Sequence, residues 1–207
     1  MTSIIAGKYQ GSKMEVPKKG TRPTTQRVKE AIFSTLDHYG VFEECSNVEK
    51  PSNGTQKSVF SVLDLYAGSG ALGIETMSRG YNNCVFVDVS NMSSKCVKNN
   101  LNKTVNRASS ADKNVEICQL SVTTFLKREN DKAFPSKYDL IFLDPPYDLD
   151  DSIISENIND CSVLLEEHSV IVLERSIRKC SLKLNEDLEI FDTRKYGESI
   201  IYYIQLK

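Results

Sequence analysis

Short, mostly apolar runs recur along the chain at Val59–Tyr66, Val85–Val87, Leu140–Leu143 and Ser169–Leu173, and Val115–Leu120 has the same strand character. Runs of this length with little polar interruption suit strands buried on both faces of a parallel sheet. Between them the spacing of apolar residues predicts helices over Ala71–Arg79, Ser90–Asn100, Ser121–Asn130 and Asp150–Leu165. Strands alternating with helices predict an α/β domain. Leu188–Asp192 and Ser199–Gln205, with Tyr196-Gly197 at the turn, predict an antiparallel pair that closes the sheet. Upstream, Ser3–Ala6 and Lys13–Val16 around Gly7–Gly11 predict a hairpin. Thr24 or Thr25 can cap a helix running to about Tyr39. Val28, Ile32, Leu36 and Tyr39 form its apolar stripe, with Ala31 and Thr35 beside it and Arg27 and Lys29 off it. Residues 43–58 carry almost no apolar side chains and read as a loop. The division is therefore 1–42 as an appendage, 43–58 as a loop and 59–207 as the main domain.

Composition narrows the class without naming it. A hydrophobic fraction of 40% and a charged fraction of 26% are those of a soluble globular protein. No run approaches the length of a membrane span, and the N-terminus has no signal-peptide core. The six cysteines have no C-x-x-C spacing, which points to reduced, buried thiols in a reducing compartment and to no metal site. His38 and His168 are isolated and read as surface or packing residues. The net charge of −2 argues against a nucleic-acid binder, but its distribution argues the other way. Residues 1–35 hold seven basic side chains against Glu15 and Glu30. A basic arm on an acidic body suits a phosphate backbone, although a solvated tail explains the same charge.

Two motifs carry chemistry. After the strand at Val59–Tyr66 comes Ala67-Gly68-Ser69-Gly70-Ala71-Leu72-Gly73, with Asp88 twenty residues beyond Gly68 at the end of the next apolar run. This is the G-x-G-x-x-G pattern of a nucleotide-binding βαβ unit, in which the later carboxylate holds ribose hydroxyls. The glycines alone do not separate a nicotinamide dinucleotide from S-adenosylmethionine. Asp64, four residues before Gly68, favours the second, because a carboxylate there can reach a ligand's ammonium or cationic centre. The other motif is Asp144-Pro145-Pro146-Tyr147, directly after the strand at Leu140–Leu143. Two prolines cannot continue a ladder, so the chain leaves the sheet as a stiff, open segment at the edge where α/β proteins bind ligands. A planar base could stack on Tyr147 and donate its exocyclic N–H bonds to Asp144 and to a carbonyl between Asp144 and Pro146.

Taken together with Ile4–Gly11, Arg22–Phe33 and Tyr196-Gly197-Glu198, these blocks resemble the RsmD-type 16S ribosomal RNA guanine-N2 methyltransferases over nearly the whole chain. The resemblance implies an α/β fold of the class I S-adenosylmethionine-dependent methyltransferases: a Rossmann-like, mostly parallel seven-stranded sheet with an antiparallel last strand and a small N-terminal hairpin and helix. It implies S-adenosylmethionine as donor and a guanine N2 of small-subunit (16S) rRNA as acceptor. By position, Asp64, Ala67, Gly68, Ser69 and Gly70 would line the methionine end of the cofactor and Asp88 its ribose. Tyr66, Val89, Ser121, Val122 and Asp144 complete the expected cofactor contacts. Asp144, Pro145, Pro146 and Tyr147 would hold the base, and Lys8, Lys13, Arg22, Thr24 and Arg27 the RNA. Ser121 departs from the usual Asp or Asn near the adenine and would offer a weaker contact. The expected partner is 16S rRNA, free or in an assembling subunit, with a monomeric enzyme and no membrane. The expected compartment is the bacterial cytoplasm, or an organelle for a eukaryotic source.

Rival readings are an adenine-N6 methyltransferase of DNA or RNA, which would read the same planar amine, and a glutamine-N5 protein methyltransferase, which usually has Asn where Asp144 stands. A dinucleotide-dependent oxidoreductase and a non-catalytic RNA-binding module lie outside that class. Asp64 and the Pro-Pro segment argue against the first of these, and the intact glycine loop with Asp144–Tyr147 against the second.

Overall fold

The structure is a computed structural model that describes residues 2–17, 25–43, 59–105, 113–177 and 181–207. The main sheet has seven strands in the order β5-β4-β3-β6-β7-β9-β8. They are β3 (Ser61–Leu65), β4 (Asn83–Val87), β5 (Asn114–Cys118), β6 (Tyr138–Leu143), β7 (Leu165–Ser176), β8 (Leu188–Tyr196) and β9 (Ser199–Leu206). β3 pairs in parallel with both β4 and β6, and β9 runs antiparallel to its neighbours β7 and β8. Chain order reverses at β3: the next strand lies on one side of it and β6 on the other. That reversal opens a crevice beyond the carboxyl ends of β3 and β6.

Alternation along the strands sorts the core into two layers. Val62, Leu140, Phe142, Val172 and Tyr203 face one side, where α1 (Gln26–His38), α2 (Ala71–Ser78) and α3 (Asn91–Lys103) pack. Leu63, Leu65, Ile141, Leu143 and Leu173 face the other, covered by α4 (Val122–Asn130) and α5 (Asp151–Asp160). The N-terminal hairpin joins the first layer: Ile4, Tyr9 and Met14 are buried in the same cluster as Met77 and Phe86. Its ladder is shorter than its sequence suggests, with β1 (Thr2–Ser3) and β2 (Lys13–Met14) giving two paired residues each. Docking onto α2 replaces the missing ladder. Ser78 Oγ donates to the Ala6 carbonyl (2.6 Å) and accepts from the Tyr9 N–H (2.9 Å), while Lys8 N–H donates to the Ser78 carbonyl (2.8 Å). Gly7, at φ 81°, makes this contact possible, because a Cβ there would lie 2.0 Å from the Ser78 oxygen.

α1 starts at Thr25, whose side chain accepts from the Val28 N–H. Its buried face is rotated from the expected stripe and comprises Val28, Lys29, Ile32, Phe33 and Leu36, with Tyr39 exposed at the end. Lys29 is therefore not off the stripe: it is fully buried, and its Nζ meets Glu75 Oε2 at 3.2 Å and the Ser3 carbonyl at 2.7 Å. Glu75 in turn accepts from the backbone N–H groups of Ile5 (2.7 Å) and Ala6 (3.0 Å) and from Arg79 Nε (3.2 Å). The Arg79 guanidinium lies over the rings of Phe33 and Phe42 and reaches Asp37. Hairpin, α1 and α2 thus converge on one buried carboxylate.

Several boundaries differ from the sequence pattern, most of all around β7 and β8. α5 stops at Asp160, a short 3-10 turn follows at Ser162–Leu164, and β7 begins at Leu165. Exposed Glu166, Glu167 and His168 hide that first part of the strand, where pairing with β6 shifts register between Tyr138 and Leu140. β8 continues past Asp192 through the exposed Thr193, Arg194 and Lys195, polar residues suited to an edge strand. Of the cysteines, Cys84, Cys96 and Cys161 are buried free thiols and Cys118 is half-buried; Cys45 and Cys180 lie outside the described residues. So do Arg22, Thr24 and all of the 43–58 stretch beyond Glu43. Among the described residues no helix is long and apolar enough to cross a membrane, and no cluster of His, Cys, Asp and Glu could hold a metal.

Candidate active site

A cleft of about 870 Å³ opens at the crevice beyond β3 and β6. Its wall includes Asp64, Tyr66, Ala67, Gly68 and Ser69 from the end of β3 and the following loop, Asp88 and Val89 after β4, and Ser121 and Val122 at the start of α4. Asp144, Pro145, Pro146 and Tyr147 line it after β6. Sequence separations of up to 83 residues, from Asp64 to Tyr147, are thus closed by one sheet edge. Gly70 does not line the cleft. It is the N-cap of α2 at φ 76°, and a Cβ there would lie 3.2 Å from Phe86 and Val97 side-chain atoms. Gly73 is likewise a packing residue, since a Cβ would lie 2.5 Å from Phe86 Cε1. Lys8, Lys13 and Arg27 are exposed and lie outside the cleft wall.

The turn out of β3 is strained at Tyr66, whose φ of 61° is the one positive value among the described non-glycine residues. Such a conformation costs on the order of 1–3 kcal/mol and persists only where its surroundings enforce it. Here the phenol oxygen accepts from Asn157 Nδ2 at 2.8 Å, and Asn157 Oδ1 accepts from Thr123 Oγ1 at 3.0 Å. Burial pushes the Tyr66 phenol up to about 12 despite that hydrogen bond, so it stays protonated.

Two carboxylates organise the glycine loop. Asp88 Oδ2 accepts from the Gly68 N–H (2.9 Å) and Oδ1 from the Ser90 N–H (2.8 Å), which fixes the loop against the end of β4. Asp64 is 2% exposed and accepts from the Gly73 N–H at 2.9 Å. Burial pushes its carboxyl up to about 8, against the Gly73 hydrogen bond, and the charges of Asp144 and Asp88 push the same way. Three carboxylates line one cleft, Asp64, Asp88 and Asp144, and together they favour a cationic guest. That donor set fits the ammonium and sulfonium of S-adenosylmethionine, and the cleft is within the size range of small-molecule sites. Ser121 caps α4: its Oγ accepts from the Thr124 N–H (3.1 Å) and lies 2.7 Å from the Thr124 hydroxyl.

Thr2, Val16 and Pro17 also line the cleft, so the N-terminal segment forms part of its wall. Asn100, fully buried on α3, holds it there: Nδ2 donates to the carbonyls of Glu15 and Ser69, both at 2.9 Å, and Oδ1 accepts from the Glu15 N–H at 2.8 Å. Sequence reasoning missed Asn100, because a polar residue in a helix gives no sign of its burial. Glu75 was missed as well, although a lone carboxylate in an otherwise apolar helix is a signal that could have found it.

Comparison with known proteins agrees with this architecture. The family model described as Conserved hypothetical protein 95 matches residues 2–205. The Bacillus subtilis protein YlbH, an rRNA methyltransferase by name, is 34% identical over 172 residues, covering 83% of this chain and 80% of its own. Ribosomal RNA small subunit methyltransferase D of Escherichia coli is 29% identical over 175 residues, covering 84% and 71%. The solved structure of yhhF from Escherichia coli, described as a methyltransferase, superposes with a TM-score of 0.75 at 22% identity, over all of this chain and 98% of that one. The fold is that of the class I S-adenosylmethionine-dependent methyltransferases, and the chain belongs to the Conserved hypothetical protein 95 family, the RsmD-type family its motifs resemble.

Proposed function

We propose that the protein methylates the exocyclic N2 of a guanine in small-subunit ribosomal RNA. S-adenosylmethionine is its cofactor and, when bound, supplies an activated methyl group. The observation that carries the reading is the meeting of Asp144–Tyr147 with Asp64, the glycine loop and Asp88 in one cleft. Asp64 holds the cationic methionine end and Asp88 the ribose. Guanine N2 is a poor nucleophile, because its lone pair is delocalised into the ring. Asp144 accepts one of its N–H bonds and a backbone carbonyl the other, which favours a pyramidal nitrogen and meets its developing positive charge. The Pro146 carbonyl already accepts from Arg175 Nη1 and from the Leu149 N–H, both at 3.1 Å, which leaves the Asp144 and Pro145 carbonyls for the amine. Tyr147 stacks on the base, worth about 1–3 kcal/mol. The base is splayed from its stack to reach the cleft, which is easiest in an RNA loop. The reading carries with it a monomeric enzyme in the compartment where rRNA is made.

Methyl transfer from labelled S-adenosylmethionine to small subunits lacking N2-methylguanosine, followed by nucleoside analysis, tests it. Label in N2-methylguanosine is the expected result. Label in N6-methyladenosine replaces the acceptor, and absence of cofactor binding overturns the reading.

Two further results follow. A buried Asp64 carboxyl near pH 8 opposes pairing with a cationic ligand while it keeps its proton. Cofactor affinity should therefore rise from pH 6 to 8, by up to about tenfold per unit, as the carboxyl ionises. Calorimetry across that range reads the effect, and Asp64→Asn should bind weakly and lose the rise. The exposed Lys8 and Lys13, with Arg27 at the start of α1, are proposed to grip RNA phosphates. Reversing Lys8 and Lys13 together should weaken RNA binding and reduce the slope of log K against log salt by about 2. An unchanged slope would assign the basic arm to solvation alone.

A further inference from the structure

Outside the motifs, Arg175 is a buried cation whose partners Pro146 and Leu149 line the cleft. Arg175 lies two residues past the last β6–β7 pair, Leu143 with Leu173, and is 0% exposed. Its Nη1 donates to the Pro146 carbonyl (3.1 Å), and its Nη2 donates to the Leu149 carbonyl (3.1 Å) and to Asp151 Oδ1 (2.9 Å). Nε has no partner, so the terminal nitrogens carry all of these bonds. The other Asp151 oxygen accepts from the Ser181 N–H at 3.0 Å. Residues 144–150 belong to no helix or strand, and the guanidinium ties them on both sides of Tyr147.

We infer that Arg175 is the positioning residue of the base-reading segment. It holds the Pro146 and Leu149 carbonyls and thereby sets where the Tyr147 ring and the Pro145 carbonyl point. A planar guanidinium suits this task because its fork reaches two carbonyls and a carboxylate at fixed angles, which an ammonium cannot. The bond to the Pro146 oxygen also keeps that carbonyl from competing for the substrate amine. The functional meaning rests on the base-pocket reading above, but the geometric claim can be tested without it.

The chain contains no tryptophan, so Tyr147→Trp installs a single fluorescent reporter at the segment. Adding Arg175→Met should raise acrylamide quenching of that reporter roughly twofold and lower its anisotropy, as expected of a segment released from its ties. Arg175→Lys should fall between, and it serves as the second variant where Arg175→Met does not fold. In the Tyr147 protein, Arg175→Met should lower kcat by about 10²-fold, the scale of a misplacement near 1 Å, with cofactor affinity retained. Unchanged quenching in a folded Arg175→Met protein overturns the inference. Raised quenching in the Arg175→Met reporter, with no methyl transfer to RNA by the unsubstituted parent protein, upholds the positioning and sinks the functional reading instead.

Discussion

Asp144→Ala should reduce kcat by about 10²–10³-fold, the scale on which one preorganised electrostatic partner of a transition state acts. Single-turnover transfer to rRNA, with calorimetry of S-adenosylmethionine on the same protein, measures both effects. Cofactor affinity should stay within a few-fold of the parent, because Asp64 and Asp88 make the principal proposed contacts at that end. Equal losses of turnover and affinity would assign Asp144 to the cofactor rather than the base. Asp144→Asn is the informative companion. Its amide oxygen can still accept one N–H, but it carries no charge to meet the nitrogen as it becomes positive, so an intermediate rate is expected.

Glu75→Ala should be the most damaging single change to the fold outside the apolar core. It leaves the buried Lys29 ammonium without its carboxylate and the Ile5 and Ala6 N–H groups without an acceptor. Removing one partner of a buried ion pair costs about 3–5 kcal/mol. Against a total stability of about 5–15 kcal/mol, that is enough to move a urea midpoint far toward unfolding. Removing both charges, with Lys29→Met and Glu75→Leu together, should recover much of the loss, because no uncompensated charge then remains buried. A double variant as unstable as Glu75→Ala would show that the backbone bonds to Glu75 dominate instead.

The regularity of the sheet explains what could be read in advance. Runs such as Leu140–Leu143 are short, apolar and bounded by turn residues, as a buried strand requires, and Pro145-Pro146 fixes where the strand ends. The glycine loop and its Asp88 partner were legible because a tight strand-to-helix turn demands glycine and the carboxylate follows at a fixed spacing; Asp88 accepts from the Gly68 N–H. The polar burials were not legible. Lys29 sits within helical reach of an apolar stripe, yet only the position of Glu75 across the interface makes its burial tolerable. Arg175 lies in β7 beyond the apolar run Ser169–Leu173, and its three acceptors come from a different part of the chain. The polar start of β7 and end of β8 were hidden for the same reason: partners distant in sequence, not local pattern, keep those residues in the ladder.

Asn100 has a consequence for how such a protein can be altered. Through one amide it joins the backbone of Glu15 to the backbone of Ser69, so the N-terminal segment and the glycine loop form a single mechanical unit. An exchange of the first seventeen residues for another terminus would disturb the cofactor wall along with whatever the new segment was meant to bind. New specificity in this scaffold must come from substitutions on a retained frame, because its terminus is not a detachable cassette.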